Sequence, residues 1–141
     1  MDYQQSRAYI RDAEQYAGGA LDLTNIKEIM KRLGNPQDQL KYVHVAGTNG
    51  KGSVIAYLYT TLSEAGYRVG RYISPSVYSY REKIEVEGTP ISREQFAKHT
   101  TRVAAVIEEM TAEGLAHPTP FEIETAVAFL FFAEEIYRPL G

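Results

Sequence analysis

The chain has 141 residues, 44% of them hydrophobic and 23% charged, with a formal net charge of −3. A single domain of this size buries roughly two-thirds of its unfolded surface, and the composition excludes a largely disordered chain. It has no cysteine, which excludes a disulfide scaffold, a cysteine zinc site and a thiol nucleophile, and the acidic balance leaves no footprint for nucleic acid.

Residues 6–16 are polar with spaced Ala, Tyr and Ile and predict a first helix that ends at Gly18-Gly19. Residues 22–33 predict a second, with Leu23, Ile26, Ile29, Met30 and Leu33 on one face, stopped by Gly34-Asn35-Pro36. The β-branched run Tyr42-Val43-His44-Val45-Ala46 predicts a buried strand. A glycine loop follows directly, then Val54, Tyr57, Leu58, Thr61, Leu62 and Ala65 recur at helical spacing, and residues 68–73 predict another strand. Strand, loop, helix, strand is a βαβ unit, so a parallel sheet is expected.

Ser74-Pro75 opens an irregular tyrosine-rich stretch, and residues 82–87 fit a strand that closes at the Glu87-Gly88 turn. Residues 92–113 predict a long helix with Ser92 and Gln95 as a capping box. The last helix, from Pro120 to about Ile136, is apolar on nearly every side from Ala126 onward, so it needs neighbours all round. The longest apolar run, residues 126–133, is far short of the roughly 18 residues of a membrane span. With no signal-peptide core at the N-terminus, a cytoplasmic protein with no membrane partner is the expectation.

The glycine loop carries the sharpest chemistry. Gly47, Thr48, Asn49, Gly50, Lys51, Gly52 and Ser53 lie between a strand and a helix. That arrangement aims several backbone N–H groups at one spot, and the helix N-terminus adds partial positive charge. The glycines let the backbone approach an anion, Lys51 reaches terminal phosphates, and the Ser53 hydroxyl suits Mg²⁺. The expected ligands are therefore a nucleotide's phosphates and Mg²⁺, the plainer alternative being a glycine turn with a solvated Lys51. The pattern departs from the usual phosphate loop, in which Ser or Thr follows the lysine directly; here Gly52 intervenes.

The run from His44 to Val54 resembles the nucleotide loop of the folylpolyglutamate synthase and dihydrofolate synthase family, within the Mur ligase superfamily. The stretch Leu33-Gly34-Asn35-Pro36-Gln37, then Ser74-Pro75 with Arg81-Glu82-Lys83-Ile84, then Phe121-Glu122-Ile123-Glu124-Thr125-Ala126 resemble the same family in the same order. The fold this implies is an incomplete α/β, three-layer, parallel-sheet nucleotide-binding domain of Mur ligase type. Residues 1–141 would be its N-terminal portion, without the C-terminal glutamate-binding domain. The activity implied is that of an ATP-dependent ligase joining glutamate to a folate through an acyl phosphate, with ATP and Mg²⁺ as cofactors and Lys51 as the catalytic cation. The alternatives are a dihydrofolate synthase or bifunctional enzyme, and a non-catalytic nucleotide-binding module. A small kinase or GTPase is disfavoured by the Lys-Gly-Ser order and the Ser-Pro loop.

Glu122 reads two ways. Thr119-Pro120-Phe121-Glu122 has the form of a helix cap, whereas the resemblance makes Glu122 a Mg²⁺ ligand beside Ser53. Glu124 points about 200° around the helix from Glu122 and is not expected to contribute. The resemblance assigns Ser74, Pro75, Tyr80 and Arg81 to a substrate loop for folate or dihydropteroate. There Tyr72, Tyr78 and Tyr80 either stack on a pterin or pack the loop, and Arg81 and Lys83 either attract an acidic glutamate tail or are merely solvated. The histidines are isolated: His44 at a strand end or in a satisfied core position, His99 on a helix surface, His117 in a loop. By family resemblance the full enzyme is monomeric, whereas this chain is expected to be inactive alone and to self-associate through its last helix and open strand edges.

Overall fold

The computed structural model describes residues 1–18, 23–45, 51–73 and 79–136. Helix α1 (Tyr3–Asp12) starts at Asp2, whose side chain accepts from the Gln5 backbone N–H while the Gln5 side chain accepts from the Asp2 N–H. This reciprocal cap starts the helix three residues earlier than its apolar spacing suggests. Helix α2 (Thr24–Arg32) buries Ile29 and Met30 and is followed by a 3₁₀ turn at Pro36–Gln39. Helix α3 spans Lys51–Glu64, and strand β1 spans Gly70–Tyr72. After a 3₁₀ turn at Tyr80–Lys83 come β2 (Ile84–Val86) and β3 (Thr89–Pro90). Helix α4 (Arg93–Ala112) carries the expected Ser92–Gln95 capping box, and α5 spans Pro120–Ile136.

The sheet differs from the expectation. Among the described residues it is antiparallel, in the order β1-β2-β3, with Gly70 opposite Val86 and Tyr72 opposite Ile84. The strand expected at Tyr42–Ala46 is not formed over its described part: residues 41–45 join no ladder, and Val43 is 64% exposed. A parallel strand is stable only between neighbours and under cover on both faces, and among the described residues this run has neither a ladder partner nor burial. The hairpin was legible: Glu87 and Gly88 are its two-residue turn, with φ of 51° and 78°, the signs a type I′ turn needs. Across β1 and β2 the facing pair Arg71 and Glu85 forms an ion pair at 2.7 Å.

Helix α5 is the centre of the core. It packs on α1, α2, α4, the Pro36–Gln39 turn, β1 and β2. Ile123, Ala126, Val127 and Ala128 are fully buried, and Leu130, Phe131 and Phe132 nearly so. Among the described residues the apolar last helix is thus covered by its neighbours rather than left open as expected. Among the described residues, exposed large apolar side chains include Tyr42, Val43, Val54 and Tyr57, together with Phe121 in the first turn of α5 itself. No helix among the described residues is long and apolar enough to cross a membrane.

Two side chains test this packing. Strand β1 runs so close to α5 that a Cβ on Gly70 would meet Phe132 Cδ1 at 2.7 Å and Ile136 Cδ1 at 3.0 Å. Gly70→Ala should therefore cost about 1–3 kcal/mol in urea unfolding, and adding Phe132→Leu should recover part of the loss. His99, expected on the surface, is only 3% exposed, packed edge-on to Phe131 with Nε2 2.5 Å from Glu134 Oε2. That approach is close but lies outside hydrogen-bond geometry. Burial pushes the His99 pKa down, outweighing the opposing pull of Glu134. A histidine held neutral in the folded state takes up more protons when unfolded. Its contribution is therefore complete above the ordinary histidine pKa and is lost as pH falls through the lowered value. Wild-type stability should fall between pH 7 and 5, and His99→Gln should flatten that slope.

Candidate nucleotide and substrate site

The expected phosphate cradle opens α3. Gly47, Thr48, Asn49 and Gly50 lie outside the described residues, as does the Lys51 side chain; the Lys51 backbone is the first helical residue. Gly52 and Ser53 are exposed in the first turn. That turn carries no acidic residue, and a Cβ on Gly52 would meet nothing within 4 Å. Among the described residues, a helix first turn with an exposed serine and no acidic side chain suits phosphate and a hard cation.

Glu122 sits in the first turn of α5. Its Oε1 accepts from the Thr119 backbone N–H at 3.0 Å and the Thr119 hydroxyl at 3.1 Å, while its own N–H donates to Thr119 Oγ1 at 3.3 Å. This is the capping box of the residue reading. It occupies one oxygen only; Oε2 makes no hydrogen bond among the described residues. One carboxylate can therefore cap with Oε1 and keep Oε2 for a metal. Among the described residues there is no cluster of three or more His, Asp or Glu side chains that would hold a metal unaided. Mg²⁺ needs none, since it keeps waters and takes substrate phosphates as ligands.

Ser74 and Pro75, at the front of the expected substrate loop, lie outside the described residues, as does Tyr78. The segment beyond them converges on Glu124, the residue sequence reasoning set aside. This carboxylate is 7% exposed. It accepts from the Tyr80 hydroxyl at 2.8 Å, from Lys83 Nζ at 3.0 Å and, more weakly, from the Tyr72 hydroxyl at 3.4 Å. Burial, and then the charge of Glu124, push both tyrosine pKa values well above their ordinary range. Tyr80 packs edge-on against Phe96. Both tyrosines are thus tied to the core through Glu124, and Lys83 pairs inside the protein rather than facing an acidic tail. The signal was present: a carboxylate on an otherwise buried helix must bring its own partners. Phe121, also unforeseen, is 62% exposed and stacks on Tyr72 with ring centroids 6.2 Å apart, leaving an aromatic face beside Glu122.

Arg81 donates from Nη1 to the Ile91 carbonyl at 3.1 Å. His117 stacks on Tyr16 at 4.1 Å, and His44 is exposed.

No protein-family model matches the chain. It is 41% identical over 132 residues to the dihydrofolate synthase/folylpolyglutamate synthase of Bacillus subtilis, covering 94% of this chain and 30% of that protein. It is 33% identical over 135 residues to the folylpolyglutamate synthase of Lacticaseibacillus casei, covering 95% of this chain and 31% of that one. The solved folylpolyglutamate synthetase from Lactobacillus casei superposes with a TM-score of 0.84 at 33% identity, over 94% of this chain and 33% of that one. The chain belongs to the folylpolyglutamate and dihydrofolate synthase family. It spans about a third of the length of these relatives and corresponds to their N-terminal portion. The likeness bears out the fold class, an incomplete nucleotide-binding domain of Mur ligase type. An FPGS–AMPPCP–folate complex superposes with a TM-score of 0.80 at 33% identity, over 94% of this chain and 32% of that one. The folylpolyglutamate synthase of Mycobacterium tuberculosis complexed with ADP does so with a TM-score of 0.80 at 30% identity, over 94% and 30%.

The buried Glu124 hub generates a prediction. Glu124→Ala leaves Lys83 and two tyrosine hydroxyls without their acceptor and should cost about 3–5 kcal/mol in urea unfolding. The double variant Glu124→Ala/Lys83→Met should lose less than the single one, because it removes the stranded charge.

Proposed function

We propose that this chain is the ATP- and Mg²⁺-binding part of an ATP-dependent ligase that joins glutamate to a folate. The family membership carries the reading, with the acid-free first turn of α3 and the Glu122 Oε2 that makes no hydrogen bond among the described residues as local support. In the proposed reaction a folate carboxylate oxygen attacks the γ-phosphorus of ATP and ADP leaves. The glutamate amine then attacks the acyl carbon, phosphate departs, the amine loses a proton and an amide remains. Phosphorylation is needed because a carboxylate offers no good leaving group.

The residues have separate tasks. Backbone N–H groups of residues 47–53 hold the phosphates, and Lys51 places its ammonium against the transferring phosphoryl group. Ser53 and Glu122 Oε2 would hold Mg²⁺, which when bound neutralises charge on the phosphate oxygens. Ser74, Pro75, Tyr80 and Arg81 would belong to the loop that meets the pteroate. Glutamate would be bound by parts of the family's fold that this chain does not span. A second reading, dihydrofolate synthase with dihydropteroate as acceptor, is favoured by the double name of the Bacillus subtilis relative.

Calorimetry with ATP at graded Mg²⁺ tests the site. Lys51→Ala should weaken ATP binding about tenfold or more, while Glu122→Gln should chiefly flatten the Mg²⁺ dependence. An unchanged Mg²⁺ dependence in Glu122→Gln would return that residue to capping alone.

A further inference from the structure

Glu87 is an unusual residue for its place in the chain. The two-residue turn between β2 and β3 is Glu87-Gly88, with φ of 51° and 78°. A turn of this hand favours Asn-Gly, because asparagine tolerates positive φ better than glutamate does. Among the described residues the other non-glycine at positive φ is Asn35, as that preference expects. A glutamate held there points to a task for its side chain.

The carboxylate bridges two elements. Its Oε1 accepts from the Val69 backbone N–H at 2.5 Å, beside the backbone bond from the Glu87 N–H to the Val69 carbonyl at 3.0 Å. Its Oε2 accepts from the Ser63 hydroxyl at 3.2 Å, near the end of α3. One residue on, the Gly88 N–H donates to the hydroxyl of Tyr59, also on α3. From β1, the Arg71 guanidinium lies 5.7 Å from the Tyr59 ring centroid. The hairpin therefore grips α3 at Tyr59 and Ser63, four residues apart on one helix face.

Helix α3 needs such a hold. Alone among the α-helices it has no buried side chain at any described position, and Val54 and Tyr57 stand exposed. Among the described residues, deep apolar packing does not fix its direction. A continuous helix is rigid over 14 residues, so a hold at Tyr59 and Ser63 sets where its first turn points.

We propose that Glu87 and Tyr59 are positioning residues for nucleotide binding: they hold α3 on the β-hairpin and so aim the phosphate-binding end of the helix. The proposal rests on the nucleotide reading of the α3 N-terminus; the tie itself rests on the contacts. These bonds are exposed, so each adds little to stability. Their loss registers in the direction of the helix rather than in unfolding.

The test compares Glu87→Asn with Glu87→Gln. Both remove the same charge, so long-range electrostatics treats them alike. Asparagine suits the turn, but its shorter side chain gives up Ser63. Glutamine still accepts from the Val69 N–H with Oε1 and donates to the Ser63 hydroxyl with Nε2. In calorimetric titrations of the whole chain with Mg·ATP, Glu87→Asn should bind about fivefold more weakly than wild type, with Tm held or raised. Glu87→Gln should stay close to wild type. Tyr59→Phe, which removes only the acceptor for Gly88, should weaken binding in the same direction. Amide hydrogen exchange in Glu87→Asn should quicken in α3 and not in α4 or α5. Wild-type affinity in Glu87→Asn, equal losses in the Asn and Gln variants, or a loss that only follows a lowered Tm would overturn the proposal. Absence of Mg·ATP binding by the wild type would remove the nucleotide reading and the positioning role with it, while quickened exchange confined to α3 would still establish the tie.

Discussion

The burial of helix α5 is the constraint to which the other elements answer. From Ile123 to Phe132 nearly every side chain is inside, so α1, α2 and α4 must cover it from one direction and the small sheet from another. The demand reaches to single atoms: β1 comes near enough that Gly70 cannot carry a Cβ without displacing Phe132. It also explains why Glu124 is satisfied so fully. An acid on a buried helix has to bring its donors inside with it, and Tyr72, Tyr80 and Lys83 are those donors. They lie on either side of residues 74–78, and the Ile73 N–H donates to the Lys83 carbonyl at 2.9 Å to close the base of that segment.

Structure and proposed chemistry meet at the first turn of α5. The cap formed by Thr119 and Glu122 fixes where the helix begins, and the same carboxylate keeps one oxygen outside the cap. Two residues on, Glu124 anchors the segment that precedes β2. A single helix start thus fixes both a candidate metal ligand and the foot of the candidate substrate loop, with the exposed Phe121 ring just before both in sequence.

Much of this was legible in the residues. The boundaries of α4 and α5, the stop at Gly34-Asn35-Pro36 and the turn at Glu87-Gly88 follow from capping, glycine and proline chemistry, which acts over a few residues. What failed depends on partners far along the chain. Residues 42–45 have the composition of a buried strand, but composition cannot supply the neighbour that would complete a ladder. His99 looked like a surface residue because its own helix does not show that Phe131 and Glu134 face it. Glu124 was dismissed by helical geometry that was correct; the angle that takes it away from Glu122 turns it into the core.

The most direct measurement is a two-dimensional amide NMR titration of the chain with Mg·ATP. Binding at the helix-opening cradle predicts saturable shifts concentrated in residues 47–53, with smaller ones in the first turn of α5 around Glu122. Saturable shifts centred elsewhere, or a spectrum that ATP leaves unchanged, would contradict it.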